Sequence, residues 1–548
     1  MDRVINAAEY FFHQGTNYRA YEYMGTHVTE QGNRVFRVWA RNAVSVSLVG
    51  DFCGWDYGVP MEKVTDGGIW ECTVSDELVK NGQKYKYKIR GTDGNCLYKS
   101  DPYCVCAEKA PNRASIIYDC GEYSWRDVGW MSYRSSKSGR MEKEPVNIYR
   151  LSPTEWNCDI KSWSWLAAEL APYVKQMGYT HIELASVAEP DFVYAPCSDM
   201  GTPDDFKAFV DSMHEAGIGV IIDRYMTESF NVDYGLGRFD GQPLYERNDN
   251  SQRYAISCTE VEAFLVSNAH YWFEVYHVDG LRLCGIENDL SMESVGFFGK
   301  LISHIRANFG DALVICDRGD VNVFENGGWD FDFKLCDKVL TCGDRRILSS
   351  PVFRGDMSCY RAEYGRFMTS HGKKLTEMGA EIASMQKCPD WPLLGLDEYA
   401  RFQKYAAALG QLYLKIPALW QNEHIDETSY NCEEDIISFG RLDSSGEAVM
   451  IIINLTPIAY ENYRVGIPLG GAYREVLNSD DEAFGGNGFV NKSDINSQGH
   501  PWKKCENSIV MRVAPMAISI LKCVSKTSIP GKTTTASKTA KTKISNKN

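Results

Sequence analysis

An alternation of short apolar runs with longer amphipathic runs occupies the middle of the chain and limits its possible folds most. The run Ile218–Asp223 is almost continuously apolar, as a strand buried on both faces of a parallel sheet requires. Before it, Pro203–Ala216 is predicted to be a helix, with Thr202 as its N-cap and Gly217 as its stop. Parallel neighbours need a crossover between them, so repeated units of this kind predict a (β/α)8 barrel over residues 145–428.

The segments on both sides of the barrel show the short alternating strands that are typical of β-sandwiches. Val35–Ala40 and Lys84–Ile89 alternate in this way, and turn residues such as Asp93-Gly94 separate the runs. From about residue 429 the pattern returns, and Ile436–Phe439 is predicted to pair with Val449–Leu455. The predicted fold class is therefore multidomain, with a β-sandwich, a TIM barrel and a C-terminal β-sandwich.

The predicted divisions follow from these patterns and from changes in composition. The last segment is rich in Lys, Thr and Ser and has no acids, so it cannot bury a core. In chain order the divisions are an N-terminal segment 1–24, a sandwich module 25–120, a charged linker 121–144, the barrel 145–428, an all-β domain 429–523 and a disordered tail 524–548.

Charge and apolar content exclude several classes of partner. A net charge of −15 argues against a nucleic-acid-binding body, and no run approaches the roughly 20 apolar residues of a membrane span. The chain opens on Met1-Asp2-Arg3 without an apolar signal core, so a cytoplasmic location is predicted. The 18 cysteines are then expected to be reduced thiols, and neither a metal site nor a cofactor is predicted.

Several long stretches resemble one known family. Val38–Ala43 and Gly50–Asp56 are similar to the glycogen-binding-type module that precedes the barrel in 1,4-alpha-glucan (glycogen) branching enzymes. Leu170–Leu184 resembles a barrel segment of these enzymes, which belong to the alpha-amylase-type glycoside hydrolases and transferases. Phe484–Gly488 matches their C-terminal domain, and the resemblance covers nearly the whole chain before the tail.

The resemblance implies two aromatic candidates for carbohydrate binding, Trp39 and Trp55. Both lie in the matched stretches of the module, where an indole ring could stack on a glucan. Packing in the module core or against the barrel is an equal alternative for each, because aromatic side chains are also good core residues.

The stretch His277–Cys284 resembles the strand that carries the catalytic nucleophile in this family. It follows an apolar, aromatic helical run and is predicted to be a short buried strand. Arg282 matches the arginine of the family pattern, but Cys284 stands where the nucleophilic aspartate is expected. No flanking basic residue would lower the pKa of this thiol, and a thiol lacks the charge with which a carboxylate stabilises an oxocarbenium ion.

Other positions that the resemblance implies are changed as well. Asp223 matches a retained aspartate, whereas Glu228 replaces a histidine of the cleft. Asp317 stands where the acid/base glutamate is expected and is shorter by one methylene, although retaining transfer needs two carboxyl groups about 5–5.5 Å apart. A late His-Asp motif is not found, and a sugar-lining loop is shortened at Glu189–Pro196.

Each of these residues also has a structural interpretation. Arg282 suits a buried ion pair, and Asp223 at a strand end suits a loop anchor or a helix cap. Cys284 is interpreted as a small buried thiol, and Asp317 could form a local ion pair with Arg318.

Catalytic groups act as a unit, so the loss of one main member already removes most of the rate. We therefore predict a non-catalytic branching-enzyme relative, a pseudoenzyme of glycogen metabolism. Its predicted partners are α-glucan or glycogen, an active branching enzyme, or another glycogen enzyme. Two alternatives stay open: an active branching enzyme with atypical residues, and a structural partner that binds no sugar.

Overall fold

The computed structural model describes most of the chain in two compact units. The first unit comprises residues 1–421 with 483–485, and the second comprises residues 422–482 with 486–548. The described residues are 6–119, 123–137, 144–159, 161–188, 192–228, 233–249, 251–286, 291–316, 333–334, 339–340, 357–370, 372–386, 388–421, 424–431 and 436–526.

The first unit begins with a short helix, α1 (Ala7–His13), which Asn6 caps. The Asn6 side chain accepts a hydrogen bond from the Ala8 amide at 3.0 Å, and the Glu9 carboxylate accepts one from the Asn6 amide at 3.2 Å. Nine strands follow: β1 (Gly25–Val28), β2 (Arg34–Trp39), β3 (Ser45–Gly50), β4 (Val59–Pro60), β5 (Glu62–Lys63), β6 (Ile69–Val74), β7 (Lys84–Arg90), β8 (Cys96–Lys99) and β9 (Ser115–Ile116).

These nine strands form two antiparallel sheets, which confirms the predicted sandwich. One sheet has the order β1-β2-β6-β5 and the other has the order β4-β3-β7-β8, with β9 paired to β7. Side chains alternate along β7, where Tyr85, Tyr87 and Ile89 are buried. Phe36 of β2 meets Tyr85 edge-on, with ring centroids 5.2 Å apart, so the apolar faces of the two sheets are in contact.

A helix, α2 (Val128–Ser136), lies within the segment for which the sequence predicted only a charged linker. Its Arg134 is buried and forms ion pairs of 3.0 Å with both Asp279 and Asp311. Burial opposes the charge of Arg134, but these two carboxylates raise the pKa of its guanidinium. Trp130 also donates its indole N–H to Asp279 at 2.8 Å, so α2 is fixed to the barrel.

Eight parallel strands confirm the TIM-like core. Their order in the sheet is β15-β14-β13-β12-β11-β10-β17-β16, so the first strand of the barrel lies beside the last. The strands are β10 (Asn147–Leu151), β11 (His181–Leu184), β12 (Gly219–Tyr225), β13 (Gly280–Cys284), β14 (Leu313–Cys316), β15 (Phe333–Lys334), β16 (Val339–Leu340) and β17 (Lys374–Glu377).

A helix follows each of β10, β11, β12 and β13, and helices lie before and after β17 in the chain, as the βα rhythm predicted. None of the helices in the described part of the chain is long and apolar enough to cross a membrane. They are α3 (Trp163–Met177), α4 (Pro203–Glu215), α5 (Thr259–Tyr276), α6 (Met292–Asn308), α7 (Met357–Thr369) and α8 (Asp397–Lys415).

The predicted limits of α4 are confirmed by its capping contacts. The Thr202 hydroxyl accepts a hydrogen bond from the Asp205 amide at 3.2 Å, and the Asp205 carboxylate accepts one from the Thr202 amide at 2.9 Å. Gly217, just beyond the helix, has a φ of +76°, a conformation that other residues rarely adopt. The chain therefore turns directly from α4 into β12, which begins at Gly219.

The second unit is all β, as predicted. One sheet has the order β18-β19-β20-β25-β22-β23, and β21 pairs with β24. The predicted pairing of Ile436–Phe439 with the next strand is confirmed, since Ile436 faces Asn454 across β19 and β20. The strands are β18 (His424–Asn431), β19 (Ile436–Leu442), β20 (Ala448–Asn454), β21 (Tyr460–Ile467), β22 (Gly471–Asn478), β23 (Ile495–Asn496), β24 (Asn507–Val513) and β25 (Ala517–Lys526).

The predicted tail, residues 524–548, begins inside this unit. Its first three residues complete β25, which pairs with β22 as far as Lys526. The remainder of the predicted tail lies outside the described residues.

Candidate functional site

Five charged side chains come from the carboxyl-terminal halves of five neighbouring barrel strands, β17, β10, β11, β12 and β13. Parallel strands present these ends at one edge of the sheet, the edge at which barrel enzymes carry their active sites. We call this edge the barrel mouth. The five residues are Glu377, Arg150, Glu183, Asp223 and Arg282.

Arg150 lies between three of the carboxylates at the barrel mouth. Its Nε is 2.9 Å from Glu183 Oε1, and its two terminal nitrogens are 2.9 Å from Glu377 Oε1 and 3.5 Å from Asp223 Oδ2. Burial opposes the charge of Arg150, but the three carboxylates together raise the pKa of its guanidinium. Arg150 therefore contacts all three carboxylates at once, and together with Arg282 it brings two positive charges to them.

Glu183 is fully buried and is held by two arginines. Arg282 Nη1 donates to Glu183 Oε1 at 2.7 Å, on the same oxygen that Arg150 contacts. Burial raises the pKa of the Glu183 carboxyl, while Arg282 and Arg150 act in the opposite direction. Arg282 thus lies in a buried ion pair, which is the structural alternative that the sequence left open for it.

The Asp223 carboxylate contacts the turn after β11 as well as Arg150. The side chain is 6% exposed, and its Oδ1 accepts a hydrogen bond from the Ser186 amide at 2.9 Å. Ser186 has a φ of +58°, a left-handed conformation that is uncommon for serine. Asp223 therefore anchors the turn that follows β11.

Cys284, at the expected nucleophile position, is a buried thiol. It is 1% exposed, and its Sγ donates to the Arg282 carbonyl oxygen at 3.8 Å. A nucleophilic thiol needs both access and a stabilised thiolate. The Cys284 side chain in this conformation does not reach the surface of the mouth.

Of the two other altered positions, one is described. Glu228 is half-buried three residues beyond the end of β12, and its backbone bridges to Arg253. Asp317, the expected acid/base position, lies outside the described residues. The shortened loop at residues 189–196 is described from Phe192 onward, where Tyr194 is fully buried and its hydroxyl donates to the Phe264 carbonyl oxygen at 3.0 Å.

A cleft of about 480 Å³ lies at the mouth beside these ion pairs. The ion-paired side chains of Arg150 and Glu377 and the exposed carboxylate of Glu155 form its charged wall among the described residues. Its lining residues are Arg150, Leu151, Ser152, Thr154, Glu155, Ala185, Ser186, Glu377 and Met378.

The two tryptophans of the module have different surroundings. Trp39 is 1% exposed, donates its indole N–H to the Gly67 carbonyl oxygen at 3.0 Å, and meets Tyr245 of the barrel segment edge-on at 5.4 Å. Its ring faces are enclosed, so the structure favours the packing alternative for Trp39. Trp55 is half-buried and donates its indole N–H to Asp51 at 3.0 Å.

Trp55 lines a groove of about 410 Å³ on the module, which we call the module groove. Tyr98, 44% exposed, supplies a second ring, and burial lowers the pKa of the nearby Lys86 ammonium. Lys86 donates to the Asn112 carbonyl oxygen at 2.7 Å. The lining residues are Asp51, Trp55, Lys84, Lys86, Tyr98, Glu108, Asn112 and Ala114.

Sequence reasoning found Asp223, Arg282 and Cys284 but missed Arg150 and Glu377. Arg150 is the penultimate residue of β10 and Glu377 is the last residue of β17, and a charged residue near the end of a barrel strand is the signal that could have found them. Their mutual contact follows from the first barrel strand lying beside the last.

Comparisons with protein families match both β domains. Residues 23–104 match the family described as Carbohydrate-binding module 48 (Isoamylase N-terminal domain). Residues 428–524 match the family described as Alpha amylase, C-terminal all-beta domain.

Curated relatives extend the similarity over nearly the whole chain. The 1,4-alpha-glucan branching enzyme GlgB of Halothermothrix orenii is 32% identical, with 94% of this chain and 98% of the relative covered. GlgB of Bacillus subtilis is 31% identical, with 94% and 97% covered. These alignments run over 619 and 617 positions, more than the 548 residues of this chain. The chain is therefore shorter than these relatives within the matched region.

Solved structures support the fold. Pullulanase from Bacillus acidopullulyticus has a TM-score of 0.66 at 17% identity, with 91% of this chain and 74% of that chain covered. A putative alpha amylase from Salmonella typhimurium has a TM-score of 0.63 at 17% identity, with 90% and 99% covered.

Proposed function

The chain belongs to the family of 1,4-alpha-glucan branching enzymes, and from that membership we propose that it is a non-catalytic member that binds α-glucan through its N-terminal module. The barrel serves as a folded support rather than as a transferase. The domain boundaries predicted from the sequence, and the loss of catalytic groups at the altered site residues, are part of the same proposal.

The observation that carries this proposal is the position of Arg150. Its guanidinium bonds to Glu183 and Glu377 and lies 3.5 Å from Asp223, so these carboxylates are engaged within the protein. Retaining glycosyl transfer requires one carboxylate that is free to attack the anomeric carbon and a second carboxyl group about 5–5.5 Å away. An ion pair with an arginine makes a carboxylate a weaker nucleophile, because the cation stabilises the negative charge that would attack.

The burial of Cys284 supports the same proposal. The thiol is 1% exposed and donates to a backbone carbonyl oxygen, so it offers neither access nor a negative charge to a sugar. With Asp317 shorter than the glutamate that the family resemblance implies, both members of the reacting pair are altered. Such groups act together, so a partial set retains little of the rate.

Glucan binding is supported by the module groove. Trp55 and Tyr98 supply two aromatic rings, and Lys84, Lys86 and Asn112 supply polar groups beside them. Aromatic faces with a few hydrogen-bonding groups suit a neutral sugar chain. Such binding rests on stacking and hydrogen bonds, so it is expected to be nearly independent of salt.

The branching assay uses the full chain with amylose, and α-1,6 linkages are followed by proton NMR beside iodine absorbance. We expect α-1,6 linkages to form no faster with the protein than without it. The alternative, an active branching enzyme, draws on the 32% identity over nearly the whole chain. Time-dependent α-1,6 linkages that disappear in Cys284→Ala would establish that alternative and refute the proposal.

The binding assay is electrophoresis of the native protein in gels that contain glycogen. Retardation is expected for the full chain and for a chain truncated after Lys526, where β25 ends. The truncation removes the Lys-rich tail, whose charge contacts salt would screen. Loss of all retardation in moderate salt would leave the third possibility, a structural partner without sugar binding.

A further inference from the structure

A second large cavity lies at the other end of the barrel strands. Its volume is about 490 Å³, within the range of small-molecule sites. His181 and Leu313 begin strands β11 and β14, whereas the mouth residues lie toward the strand ends. Helix α2 closes one side through Trp130 and Tyr133. We call this cavity the floor pocket.

Most charges around the floor pocket are compensated inside its own wall. Arg134 pairs with Asp279 and with Asp311, each at 3.0 Å, and Lys137 pairs with Glu144 at 2.6 Å. These ion pairs hold the wall together, and each of the two cations is matched by at least one carboxylate.

Lys175 is the exception among the described residues of the wall. Its ammonium donates to the Ala216 carbonyl oxygen at 3.3 Å, and no carboxylate of the described chain forms an ion pair with it. The side chain is exposed at the rim of the pocket. Lys175 is therefore a cation of the wall with which an anion could form an ion pair.

His181 adds an uncommitted polar group deeper in the wall. It is 7% exposed, and its Nδ1 is 2.8 Å from the Thr180 hydroxyl. Within the described chain, His181 Nε2 makes no hydrogen bond. Burial lowers the pKa of His181 to about 4, so the ring is neutral near pH 7 and one of its nitrogens is available to a ligand.

The remaining wall is largely aromatic or apolar. Trp130 is half-buried, Tyr133 is 49% exposed, and Pro145 and Leu313 complete the apolar part. Rings and aliphatic groups of this kind match a ligand with a ring-shaped apolar body.

We propose that the floor pocket binds a small organic anion, a carboxylate or phosphate on an aromatic or other apolar ring. The ring lies against Trp130 and Tyr133, Lys175 neutralises the anion, and His181 Nε2 makes the hydrogen bond that it lacks within the protein. This site is separate from the barrel mouth and from the module groove, and it does not depend on the function proposed for either.

The chain offers a matched pair of variants that fill or preserve the pocket. Gly129 of α2 lines the pocket, and a Cβ added to it meets no atom within 4 Å. Its φ is not in the left-handed region, so Gly129→Ala keeps the space and Gly129→Phe fills it without backbone strain. Lys175→Met removes the cation, and Lys404→Met removes an exposed lysine of α8 that does not line the pocket.

The test measures binding of three probes to the full chain by saturation-transfer NMR and isothermal titration calorimetry. The probes are 2-naphthoate, phenyl phosphate and the neutral 2-naphthalenemethanol. We expect submillimolar binding of at least one anion, and which anion binds distinguishes a carboxylate from a phosphate ligand. Gly129→Phe abolishes binding and Gly129→Ala retains it. Lys175→Met weakens anion binding about fivefold, roughly 1 kcal/mol, and does not change the affinity for the neutral alcohol. The control variant Lys404→Met binds the anions as the unaltered protein does.

Two results would overturn the proposal. One is the absence of saturable binding by either anion at millimolar concentration. The other is anion binding that is unchanged in both Gly129→Phe and Lys175→Met, because the probe then binds elsewhere. Far-UV circular dichroism and the melting temperature show whether Gly129→Phe is folded, and the Lys175→Met comparison decides the outcome if it is not.

Discussion

Arg282 donates from Nη1 to Glu183 Oε1 at 2.7 Å, joining strands β13 and β11 across the interior of the barrel. Glu183 is fully buried and the Arg282 side chain is 8% exposed, so neither charge is well solvated by water. Strand β12 lies between these two strands, and the pair therefore spans three neighbours of the sheet. An ion pair in this position constrains the barrel whether or not the mouth performs chemistry.

Removing Arg282 is expected to destabilise the first unit strongly. Arg282→Met leaves the buried Glu183 carboxylate with one arginine fewer, and breaking a buried pair in this way costs about 3 kcal/mol. The free energy of unfolding is measured in urea by circular dichroism. The control is Arg366→Met, whose ion pair with Glu363 is 54% exposed on the arginine side and is worth less than about 1 kcal/mol. Equal losses in the two variants would contradict a structural role for Arg282.

Restoring the two carboxyl groups is expected not to restore branching. Cys284→Asp with Asp317→Glu returns the reacting pair in sequence, but Arg150 still engages Glu183, Asp223 and Glu377. Substrate positioning can supply roughly 7–11 kcal/mol of a barrier, and the two substitutions do not rebuild it.

The measurement for this repair is α-1,6 linkage formation by proton NMR, with circular dichroism to show that the double variant is folded. Adding Arg150→His to the double variant tests whether the arginine alone blocks the mouth. Rapid turnover by the folded double variant would show that the sugar-binding positions are intact, contrary to the proposed function.

Glucan affinity is expected to depend on Trp55. Trp55→Ala removes one of the two rings of the module groove, and we expect at least a tenfold weaker affinity for glycogen, or about 1.4 kcal/mol. The measurement is the glycogen concentration that gives half-maximal retardation in native gels. Tyr57→Ala is the matched control, because Tyr57 is 87% exposed nearby but does not line the groove. Identical retardation of both variants would place the binding elsewhere.

Stability is expected to fall between about pH 6.5 and pH 9 because of His214. Its nitrogens lie 3.0 Å from Asp127 and 2.9 Å from Asp279. Burial opposes protonation, but the two carboxylates raise the pKa of His214 to about 9, and His214 in turn lowers the pKa of Asp279. The stabilisation is complete below the unfolded pKa of about 6.5 and is lost as the pH rises through about 9.

The size of this effect follows from the rise in the His214 pKa. Each unit of that rise is worth about 1.4 kcal/mol, so the total loss of stability is roughly 3 kcal/mol. The free energy of unfolding is measured in urea from pH 6 to pH 9.5. His214→Gln is expected to flatten this dependence, whereas His500→Gln, an exposed histidine, leaves it unchanged. A slope that is the same in His214→Gln and in the unaltered protein would contradict the prediction. Asp279 affects stability at low pH instead. Its contribution to the free energy of unfolding is lost as the pH falls through its lowered pKa.

Local patterns predicted the elements of the fold well, because their causes lie close together in sequence. The helix predicted at Pro203–Ala216 begins at the predicted residue and ends one residue earlier, and Thr202 caps it as its residue type indicated. The helix α2 was missed because the charge of the segment around Tyr133 is typical of a linker. Its stability comes from Asp279 and Asp311, more than 140 residues away.

The candidate site was predicted less completely. Cys284 and Asp223 were identified by comparison with a family pattern, and the structure adds that the thiol is enclosed and that the carboxylate anchors Ser186. Arg150 could not be assigned a role, because its partners come from three different strands. The enclosure of Trp39 likewise depends on Tyr245, about 200 positions later in the chain.

Trp55 holds a φ of +67°, in the left-handed region where a side chain costs about 1 kcal/mol relative to glycine. At this position binding and folding therefore favour different residues. A library screened only for heat resistance is expected to enrich glycine or asparagine at position 55, whereas one screened on glycogen keeps the indole. The tryptophan at position 55 therefore costs the fold free energy, which the proposed contact with glucan would offset without any chemistry in the barrel.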